Sequence, residues 1–447
     1  MKLPDDFVKK YQNLLGTDAP DFLKSFQNEA THGFRINSLK ANKQQVDESL
    51  ERPITNVKNG YYGKVNGHSI DHISGMIYSQ DPSAMNVAQY ANPQSNDKVL
   101  DLCAAPGGKT TQLAALMNNQ GLLVANEINS KRAQVLSFNV ERLGIKNTLV
   151  TNNSPKDLEK IYPNYFDKIV VDAPCSGEGL FRKDPNAMQY WSLDYEKECA
   201  NRQREILKSA MKLLKVGGTL TYSTCTFAPE EDEQNINWLS ENYAIKILPL
   251  KHYESMDKGR PEWSNNNPDL VNAVRLFPNH YKGEGHFICS IKKIADDEVK
   301  MPDYTPRAKK IASSDQQLLM NFLNNNLVNV SLNDLFVNKN TLYEIVQSFR
   351  KKSPKQIRNG LKLGEFKKNR FVPDHALVLA LANNQFQHVI DLKKEEFESF
   401  VHGNVVQIAN PSNFKGWVGV SYENKVFSWG RVVQKQLKNF YPKGLRV

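Results

Sequence analysis

The sequence predicts an α/β protein whose mainly parallel sheet is preceded by a small N-terminal unit and followed by a basic, β-rich region. Between residues 96 and 294, short apolar runs alternate with helical stretches, which is the pattern of β-α units. From residue 403 to 447, apolar residues recur with period two, as they do in the strands of a small β-barrel. Residues 301–447 hold 22 basic and 11 acidic side chains, whereas residues 1–300 hold 36 and 37.

Seven apolar runs are strand candidates for the central sheet. The segments between them carry apolar residues at +3/+4 spacing, as at Ala133, Leu136 and Val140, which indicates helices packed on the sheet. In chain order, the predicted strands are residues 98–103, 122–128, 148–152, 168–173, 219–223, 245–249 and 286–292.

Changes in composition divide the chain into five segments. A helical opening and Gly-rich turns mark the first segment, and a polar stretch with Pro302 and Pro306 is typical of a linker. The predicted segments are a small N-terminal domain (1–75), the sheet domain (76–295), a linker (296–314), a basic domain (315–385) and a β-barrel (386–447).

Composition excludes several classes of protein. The chain has 447 residues, of which 40% are hydrophobic and 10% aromatic, so it is neither disordered nor collagen-like. The longest purely apolar stretch, residues 376–382, falls far short of the ~20 residues that cross a bilayer, and no membrane association is expected. The first ten residues contain two acids and no apolar segment. No signal peptide is therefore predicted, and the cytoplasm is the expected location.

The five cysteines are an odd number without C-x-x-C spacing, which argues against a disulfide framework. We therefore expect free thiols in a reducing compartment. No metal site is expected at Cys103, Cys175 and Cys225, because no histidine lies near them in the sequence.

The positive charge of the last third predicts a polyanionic partner. Neutralisation of phosphates by Lys and Arg dominates the affinity of proteins for nucleic acids. A merely solvated basic surface is the alternative for any single run of charge, and the concentration of the whole excess in one region favours RNA or DNA.

The first predicted strand runs into a turn of small residues, from Asp101 to Thr110, that opens a helix. Small residues let the backbone approach a ligand, and a helix N-terminus presents free N–H groups. A phosphate-binding P-loop would need glycine where Cys103 stands, and no G-x-G-x-x-G triplet occurs. Glu127, at the end of the second strand, suits the hydroxyls of a ribose. S-adenosylmethionine, which has a ribose but no phosphate, is the natural cofactor for this pattern.

Two cysteines follow two further strands of the predicted sheet. Cys175 comes just after Asp172 at the fourth strand, and Cys225 comes after the fifth. A cysteine alone is more often a small buried hydrophobe than a nucleophile. Because neighbouring parallel strands end at one edge of a sheet, both thiols and the carboxylate are predicted to face one cleft, which indicates covalent catalysis. A redox-active dithiol is disfavoured by the missing C-x-x-C spacing.

The strings DLCAAPGGKT, VVDAPCSGEG and YSTCT resemble, in order and spacing, the Sun-type (Fmu) RNA cytosine carbon-5 methyltransferases. The longer strings APCSGEGLFRKDP and GWVGVSY, together with the closing NFYPKGLRV, are similar to the RsmF branch, whose members methylate small-subunit ribosomal RNA. The resemblance covers nearly the whole chain.

This resemblance implies a seven-stranded Rossmann-like methyltransferase sheet with an antiparallel last strand, and RNA-binding modules that include a PUA-like β-barrel. It implies that Cys225 is the nucleophile, that Cys175 assists its release and that Asp172 lies near both cofactor and base. Ser154 stands where many members have an acid near the adenine, so its contact there is in question. The residues implied to hold S-adenosylmethionine are Cys103, Ala104, Ala105, Pro106, Gly107, Gly108, Lys109, Glu127, Ser154 and Asp172.

The expected activity is transfer of a methyl group from S-adenosylmethionine to carbon 5 of cytosine in 16S ribosomal RNA, through a covalent Cys225–cytosine adduct. The expected partner is small-subunit ribosomal RNA or an assembly intermediate, bound by a monomer. Two alternatives stay open: the same chemistry on transfer RNA, or a non-catalytic RNA-binding assembly factor. No residue near Cys225 in the sequence obviously stabilises a thiolate, and the acids at positions 230–233 would oppose one if they lay close.

Overall fold

The computed structural model describes residues 2–295, 311–347, 353–408 and 414–446. Most of the predicted linker, residues 296–310, lies outside the described residues. Residues 348–352 also lie outside them, at the start of the basic stretch 350–370.

The N-terminal part combines helices with a three-stranded antiparallel sheet of order β2-β1-β3. Its first two helices bury an aromatic face, with Phe7, Tyr11 and Phe22 packed against Phe181 and Phe227 of the central part of the chain. The elements are α1 (Asp5–Leu15), α2 (Ala19–Ser25), β1 (Gly33–Ile36), β2 (Gly60–Tyr62), α3 (Ile70–Ile73), β3 (Ile77–Ser79) and α4 (Met85–Ala91).

The central part alternates strands and helices, as the apolar pattern predicts. Its elements are β4 (Lys98–Asp101), α5 (Gly108–Leu116), β5 (Leu122–Asn126), α6 (Ser130–Arg142), β6 (Thr148–Thr151), α7 (Pro155–Glu159), β7 (Phe166–Asp172), α8 (Leu193–Leu213), β8 (Leu214–Thr224), α9 (Glu233–Asn242), β9 (Ile245–Leu248), β10 (Asp257–Lys258), β11 (Val274–Leu276) and β12 (His286–Lys293).

All seven predicted strands are present, and they form one sheet in the order β6-β5-β4-β7-β8-β12-β9. Strands β4 to β8 are mutually parallel, whereas β12 runs antiparallel to β8, so the predicted fold is confirmed. Side chains alternate between two cores: along β4, Val99 packs on one face and Leu100 on the other. Helices α5 and α6 cover the first face, and α8 and α9 cover the second.

Three further strands, which the sequence does not predict, extend this sheet to ten. Two of them, β10 and β11, add to the edge beyond β12. The third, β15 (Gln356–Asn359), comes from the C-terminal region and pairs antiparallel with β6. An unpaired edge strand is open to wrong pairing, so the C-terminal region covers the edge that β6 would otherwise expose.

The rest of the C-terminal region forms two smaller sheets, ordered β13-β14-β16-β17 and β18-β20-β21-β22-β19. They share a core in which Trp429 packs on Phe386 and Phe322. The elements are α10 (Ser313–Asn326), β13 (Leu335–Asn338), β14 (Thr341–Glu344), β16 (Leu361–Lys367), β17 (Arg370–Pro373), α11 (His375–Ala380), β18 (Val389–Leu392), α12 (Lys394–Val401), β19 (Val406–Gln407), β20 (Gly416–Tyr422), β21 (Lys425–Val433) and β22 (Gln436–Asn439).

Among the described residues, no helix combines the length and the apolar character that a membrane span requires.

The junction between β15 and the central sheet is held by an ion pair between Arg358 and Glu141, whose side chains are 11% and 24% exposed. Arg358 Nε also donates to Ser137 Oγ at 3.2 Å. Burial raises the pKa of Glu141 above its ordinary value, which shows that the carboxylate depends on a compensating cation.

We predict that Arg358→Met lowers the free energy of unfolding by about 2 kcal/mol, because it leaves the Glu141 carboxylate buried without its partner. Lys197→Met, which breaks an exposed pair with Asp194, is the matched control and should change stability by less than about 0.5 kcal/mol. Thermal unfolding of both variants checks this. Equal midpoints for the two would contradict a stabilising junction.

Candidate active site

Four strands deliver polar side chains to one edge of the sheet. Asp101 ends β4, Glu127 follows β5, Asp172 ends β7 and Cys225 follows β8. Because these strands are parallel neighbours, their carboxyl ends form a single cleft. His286 also reaches this edge, because β12 is antiparallel and begins where the other strands end.

The turn between β4 and α5 is held from both sides. Arg35 Nη2 donates to Gly108 O at 2.9 Å, and Arg132 Nη2 donates to Ala105 O at 2.7 Å. Gly107 has φ +115°, a left-handed conformation that favours glycine, just where the helix begins. The result is a fixed backbone turn that a ligand can approach closely.

Two buried carboxylates flank this turn. Asp101 Oδ2 accepts a 2.6 Å hydrogen bond from Thr110 Oγ1, while Asp101 Oδ1 is buried without a partner. Burial raises the pKa of Asp101 to about 7. Glu127 is 4% exposed, and its Oε1 accepts from Asn129 N at 2.8 Å.

These residues fit S-adenosylmethionine. Glu127 offers acceptors for ribose hydroxyls, and the unpartnered oxygen of Asp101 calls for a donor or a cation. The turn from Cys103 to Lys109 lies between these two acids in the sequence and follows β4 directly.

Asp172 is the most connected residue of the cleft. Its Oδ2 lies 2.6 Å from Lys109 Nζ, its Oδ1 accepts from Ser223 Oγ at 2.8 Å, and His286 Nε2 lies 3.7 Å away. Burial alone would raise the pKa of Asp172, but the Lys109 ammonium and the His286 ring hold it well below its ordinary range. Asp172 is therefore a carboxylate, and Lys109 contacts it directly.

The two predicted cysteines face each other, with Cys175 Sγ 3.2 Å from Cys225 Sγ. The hydrogen bond to Cys225, together with burial, raises the pKa of the Cys175 thiol well above its ordinary value. Cys175 is accordingly protonated, and a hydrogen bond joins the two thiols. Interaction with Cys225 also contributes to raising the pKa of Lys109, so the Lys109 ammonium is close enough to interact with this thiol group.

The acids after Cys225 are all engaged by partners. Glu230 pairs with Lys10 at 2.8 Å, and Glu231 Oε2 accepts from Gln203 Nε2 at 2.6 Å. Asp232 and Glu233 both pair with the buried guanidinium of Arg275. Cations therefore pair with Glu230, Asp232 and Glu233, which reduces their expected opposition to a thiolate, whereas Glu231 is only hydrogen-bonded and adds to raising the pKa of Cys175.

Glu178 joins the N-terminal helices to the cysteine loops. Its carboxylate is buried and accepts from Tyr11 OH at 2.6 Å, Thr226 Oγ1 at 2.7 Å, Phe227 N at 2.9 Å and Trp191 Nε1 at 3.1 Å. A buried carboxylate with four donors is fully satisfied. It holds the segment after Cys225 in place.

Ser154 caps helix α7 in this structure. Its Oγ accepts from Asp157 N at 3.2 Å and donates to Asp157 Oδ2 at 2.7 Å. The neighbouring asparagines contact the C-terminal region instead: Lys355 Nζ donates to Asn152 Oδ1 at 2.8 Å, and Lys355 N donates to Asn153 Oδ1 at 2.9 Å. Asn152 Nδ2 in turn donates to Glu127 O at 2.8 Å.

Sequence reasoning therefore places the two thiols, Asp172 and the glycine turn at one edge, and the structure brings them together there. The sequence analysis did not identify His286, Ser223 or Lys355 as residues of this edge. The predicted antiparallel direction of the last strand would have placed His286, its first residue, at the same edge. Lys355 and its partner Asn152 are about 200 residues apart along the chain, and no local sequence pattern predicts their contact.

We predict that Lys109→Met slows alkylation of Cys225 by iodoacetamide about three- to ten-fold near neutral pH, because the thiolate loses a nearby cation. Lys208→Met, on the exposed face of α8, is the control and should leave the rate unchanged. Peptide mapping by mass spectrometry measures Cys225 separately from the other thiols. Equal rates in both variants would contradict the role of Lys109.

Comparison with known proteins identifies the family. Residues 88–292 match the family described as 16S rRNA methyltransferase RsmB/F. Residues 3–82 match the N-terminal domain of 16S rRNA methyltransferase RsmF, residues 321–381 its first C-terminal domain, and residues 387–447 the methyltransferase RsmF PUA domain.

Whole-chain relatives and solved structures agree. The chain is 32% identical to ribosomal RNA small subunit methyltransferase F of Vibrio cholerae over 100% of its own length and 98% of the relative's. It is 31% identical to the protein of the same name from Vibrio campbellii, over 99% and 97%. A methyltransferase homolog structure from Pyrococcus horikoshii superposes with a TM-score of 0.57 at 30% identity, covering 64% of this chain and 94% of that one.

The NSun6 structure from the same organism, which was solved with SFG, an analogue of S-adenosylmethionine, has a TM-score of 0.56 at 21% identity. It covers 66% of this chain and 99% of that one, and shows the shared fold. The resemblance noted from the sequence motifs is thereby confirmed. The chain belongs to the RsmF group of the S-adenosylmethionine-dependent 16S rRNA methyltransferase RsmB/F family.

Proposed function

We propose that this protein transfers a methyl group from S-adenosylmethionine to carbon 5 of a cytosine in 16S ribosomal RNA, with Cys225 as the covalent nucleophile. The observation that carries the proposal is the 3.2 Å contact between Cys175 and Cys225 beside the Asp172–Lys109 ion pair. A binding protein would need neither a paired thiol nor an ionised aspartate at this edge of the sheet. The names of the relatives favour ribosomal over transfer RNA.

In the proposed reaction, Cys225 Sγ adds as a thiolate to carbon 6 of the base. The new C–S bond uses the sulfur electron pair, and the electrons of the C5–C6 double bond make carbon 5 nucleophilic. When bound, S-adenosylmethionine would supply the methyl group that bonds to carbon 5, and its S–CH3 bond would break to leave the neutral thioether of S-adenosylhomocysteine. A proton acceptor then removes the proton on carbon 5. The electrons of that C–H bond restore the C5–C6 double bond, and the electron pair of the C–S bond returns to Cys225.

The proposed role of Cys175 follows from its protonation. Cys175 keeps its proton because the hydrogen bond to Cys225 and burial raise its pKa. A protonated thiol 3.2 Å from the departing sulfur donates a hydrogen bond to the thiolate that leaves the base. Cys175 therefore serves release, and Cys225 serves attack.

Asp172 is proposed to bind the polar edge of cytosine. An acid beside the base could either protonate the ring nitrogen or polarise it through a hydrogen bond. The pKa of Asp172 lies well below its ordinary range, which favours a carboxylate that accepts hydrogen bonds from the base. The proton on this pair belongs to Lys109, whose pKa is raised by Asp172 against the effect of burial.

We propose that the segments 1–75, 315–385 and 386–447 act as RNA-binding modules around a catalytic domain of residues 76–295. The matched family segments support this division. A target cytosine must be unpaired or flipped out of its stack to reach Cys225, and the basic modules would hold the surrounding RNA. We further propose a cytoplasmic monomer that acts on small-subunit RNA or an assembly intermediate.

We predict opposite outcomes for two cysteine variants. Cys175→Ala should accumulate a protein–RNA adduct that survives denaturing electrophoresis, because attack persists while release slows. Cys225→Ala should form no adduct and lose methylation of 16S ribosomal RNA by about 10³-fold or more. Cys199→Ala, a buried thiol on helix α8, serves as the control and should do neither. An adduct with Cys225→Ala would reverse the assigned roles.

We predict that binding of S-adenosylmethionine strengthens as the pH rises through about 7, the pKa to which burial raises Asp101. Below that pH the carboxyl is neutral, and above it the carboxylate attracts the cationic cofactor. In Asp101→Asn this rise should disappear, while Thr110 keeps an acceptor. Calorimetric titration of both proteins at several pH values measures the slopes. Identical slopes would exclude Asp101 from the cofactor site.

A further inference from the structure

We propose that a cavity at the meeting point of all four matched segments binds one unpaired nucleotide of the RNA substrate, away from the catalytic cleft. This inference rests on the proposed action on RNA. The cavity has a volume of about 330 Å³, within the range of roughly 300–1,000 Å³ typical of small-molecule sites. Six of the residues that line it carry the argument: His72, Phe138, Arg142, His375, Tyr441 and Arg446.

The walls of the cavity come from distant parts of the chain. His72 belongs to the N-terminal part, Phe138 and Arg142 to helix α6, His375 to helix α11, and Tyr441 to the last matched segment. The cavity therefore exists only when the whole chain has assembled. It also gives a place to the closing motif NFYPKGLRV, whose Tyr441, Gly444, Leu445 and Arg446 line it.

Two buried nitrogen atoms of residues that line the cavity have no hydrogen-bond partner within the described part of the chain. Arg142 is 5% exposed, and its Nη1 donates to His72 O at 2.8 Å, but its Nε is unpartnered. His375 Nδ1 is likewise buried without a partner. Native proteins leave few buried polar groups unsatisfied, so both nitrogens point to a polar ligand.

The protonation of the histidines suits a nucleobase. Burial lowers the pKa of both His72 and His375 to about 4, with the charge of Arg142 adding to the effect at His72. Both rings are neutral at physiological pH, and a neutral imidazole has one donor and one acceptor. This combination matches the mixed donors and acceptors on the edge of a base.

The aromatic and charged groups suit the rest of a nucleotide. The ring of Phe138 is 40% exposed and offers a stacking face, and single-stranded bases are commonly read by stacking on aromatic side chains. Arg142 and Arg446 carry positive charge, whereas the lining acid Glu141 is paired with Arg358. The net charge of the cavity lining is therefore positive, which favours a phosphate group.

The cavity is separate from the catalytic cleft. Helix α6 begins three residues after Glu127 and ends at Arg142, so its 13 residues span about 20 Å between the two sites. A nucleotide held here would fix the register of the RNA while a different nucleotide enters the cleft.

The test compares Phe138→Ala with Val135→Ala, an exposed apolar residue on the same helix that does not line the cavity. We expect Phe138→Ala to raise the KM for 16S ribosomal RNA about ten-fold and to leave kcat within about two-fold. Val135→Ala should match the unaltered protein. Equal KM values for the two variants would overturn the proposal.

Direct binding separates this proposal from the proposed function. In a Cys225→Ala background, Phe138→Ala should weaken 16S ribosomal RNA binding by a similar factor, whether or not the protein with Cys225 methylates that RNA. Absence of methylation by the unaltered protein contradicts the function, whereas unchanged binding contradicts the cavity. Arg446→Gln, at the partly exposed rim, should weaken binding and reduce its salt dependence by about one ion.

Photo-crosslinking identifies the occupant. RNA transcribed with 4-thiouridine should crosslink to peptides that contain Phe138 or Tyr441. Crosslinks confined to other peptides would overturn the proposal.

Discussion

The ion pair between Lys109 and Asp172 joins the two halves of the cleft, and the remaining chemistry depends on it. Lys109 comes from the glycine turn after β4, and Asp172 from the end of β7, beside the strand that leads to Cys225. The pair keeps the aspartate ionised in a buried place and puts a cation near the thiol. Without the Lys109 ammonium, burial would raise the pKa of the Asp172 carboxyl.

The C-terminal region is structurally continuous with the cofactor side of the sheet. Strand β15 extends the sheet at β6, and Lys355 contacts Asn152 and Asn153, which lie beside the backbone that carries Glu127. The C-terminal region therefore contacts elements that are one hydrogen bond from Glu127.

The acids near the nucleophile show why sequence spacing misleads about electrostatics. The run of acids at positions 230–233 suggests a local negative potential, but Glu230 pairs with Lys10, and Asp232 and Glu233 share the buried Arg275. Lys10 and Arg275 lie more than 40 residues away from these acids along the chain. Pairing across such distances depends on packing, which a local pattern does not describe.

The sequence by itself determined the seven-strand alternation, the cysteine-bearing strand ends and the glycine turn, because hydrophobic periodicity and turn chemistry are local properties of the chain. Only the tertiary structure decided that Cys175 stays protonated, that Lys109 faces Asp172 and that β15 completes the sheet. It also decided that Ser154 caps helix α7 and that four segments enclose a cavity. These features arise from burial and from contacts between residues far apart in sequence, which set pKa values and partners only once the chain has folded.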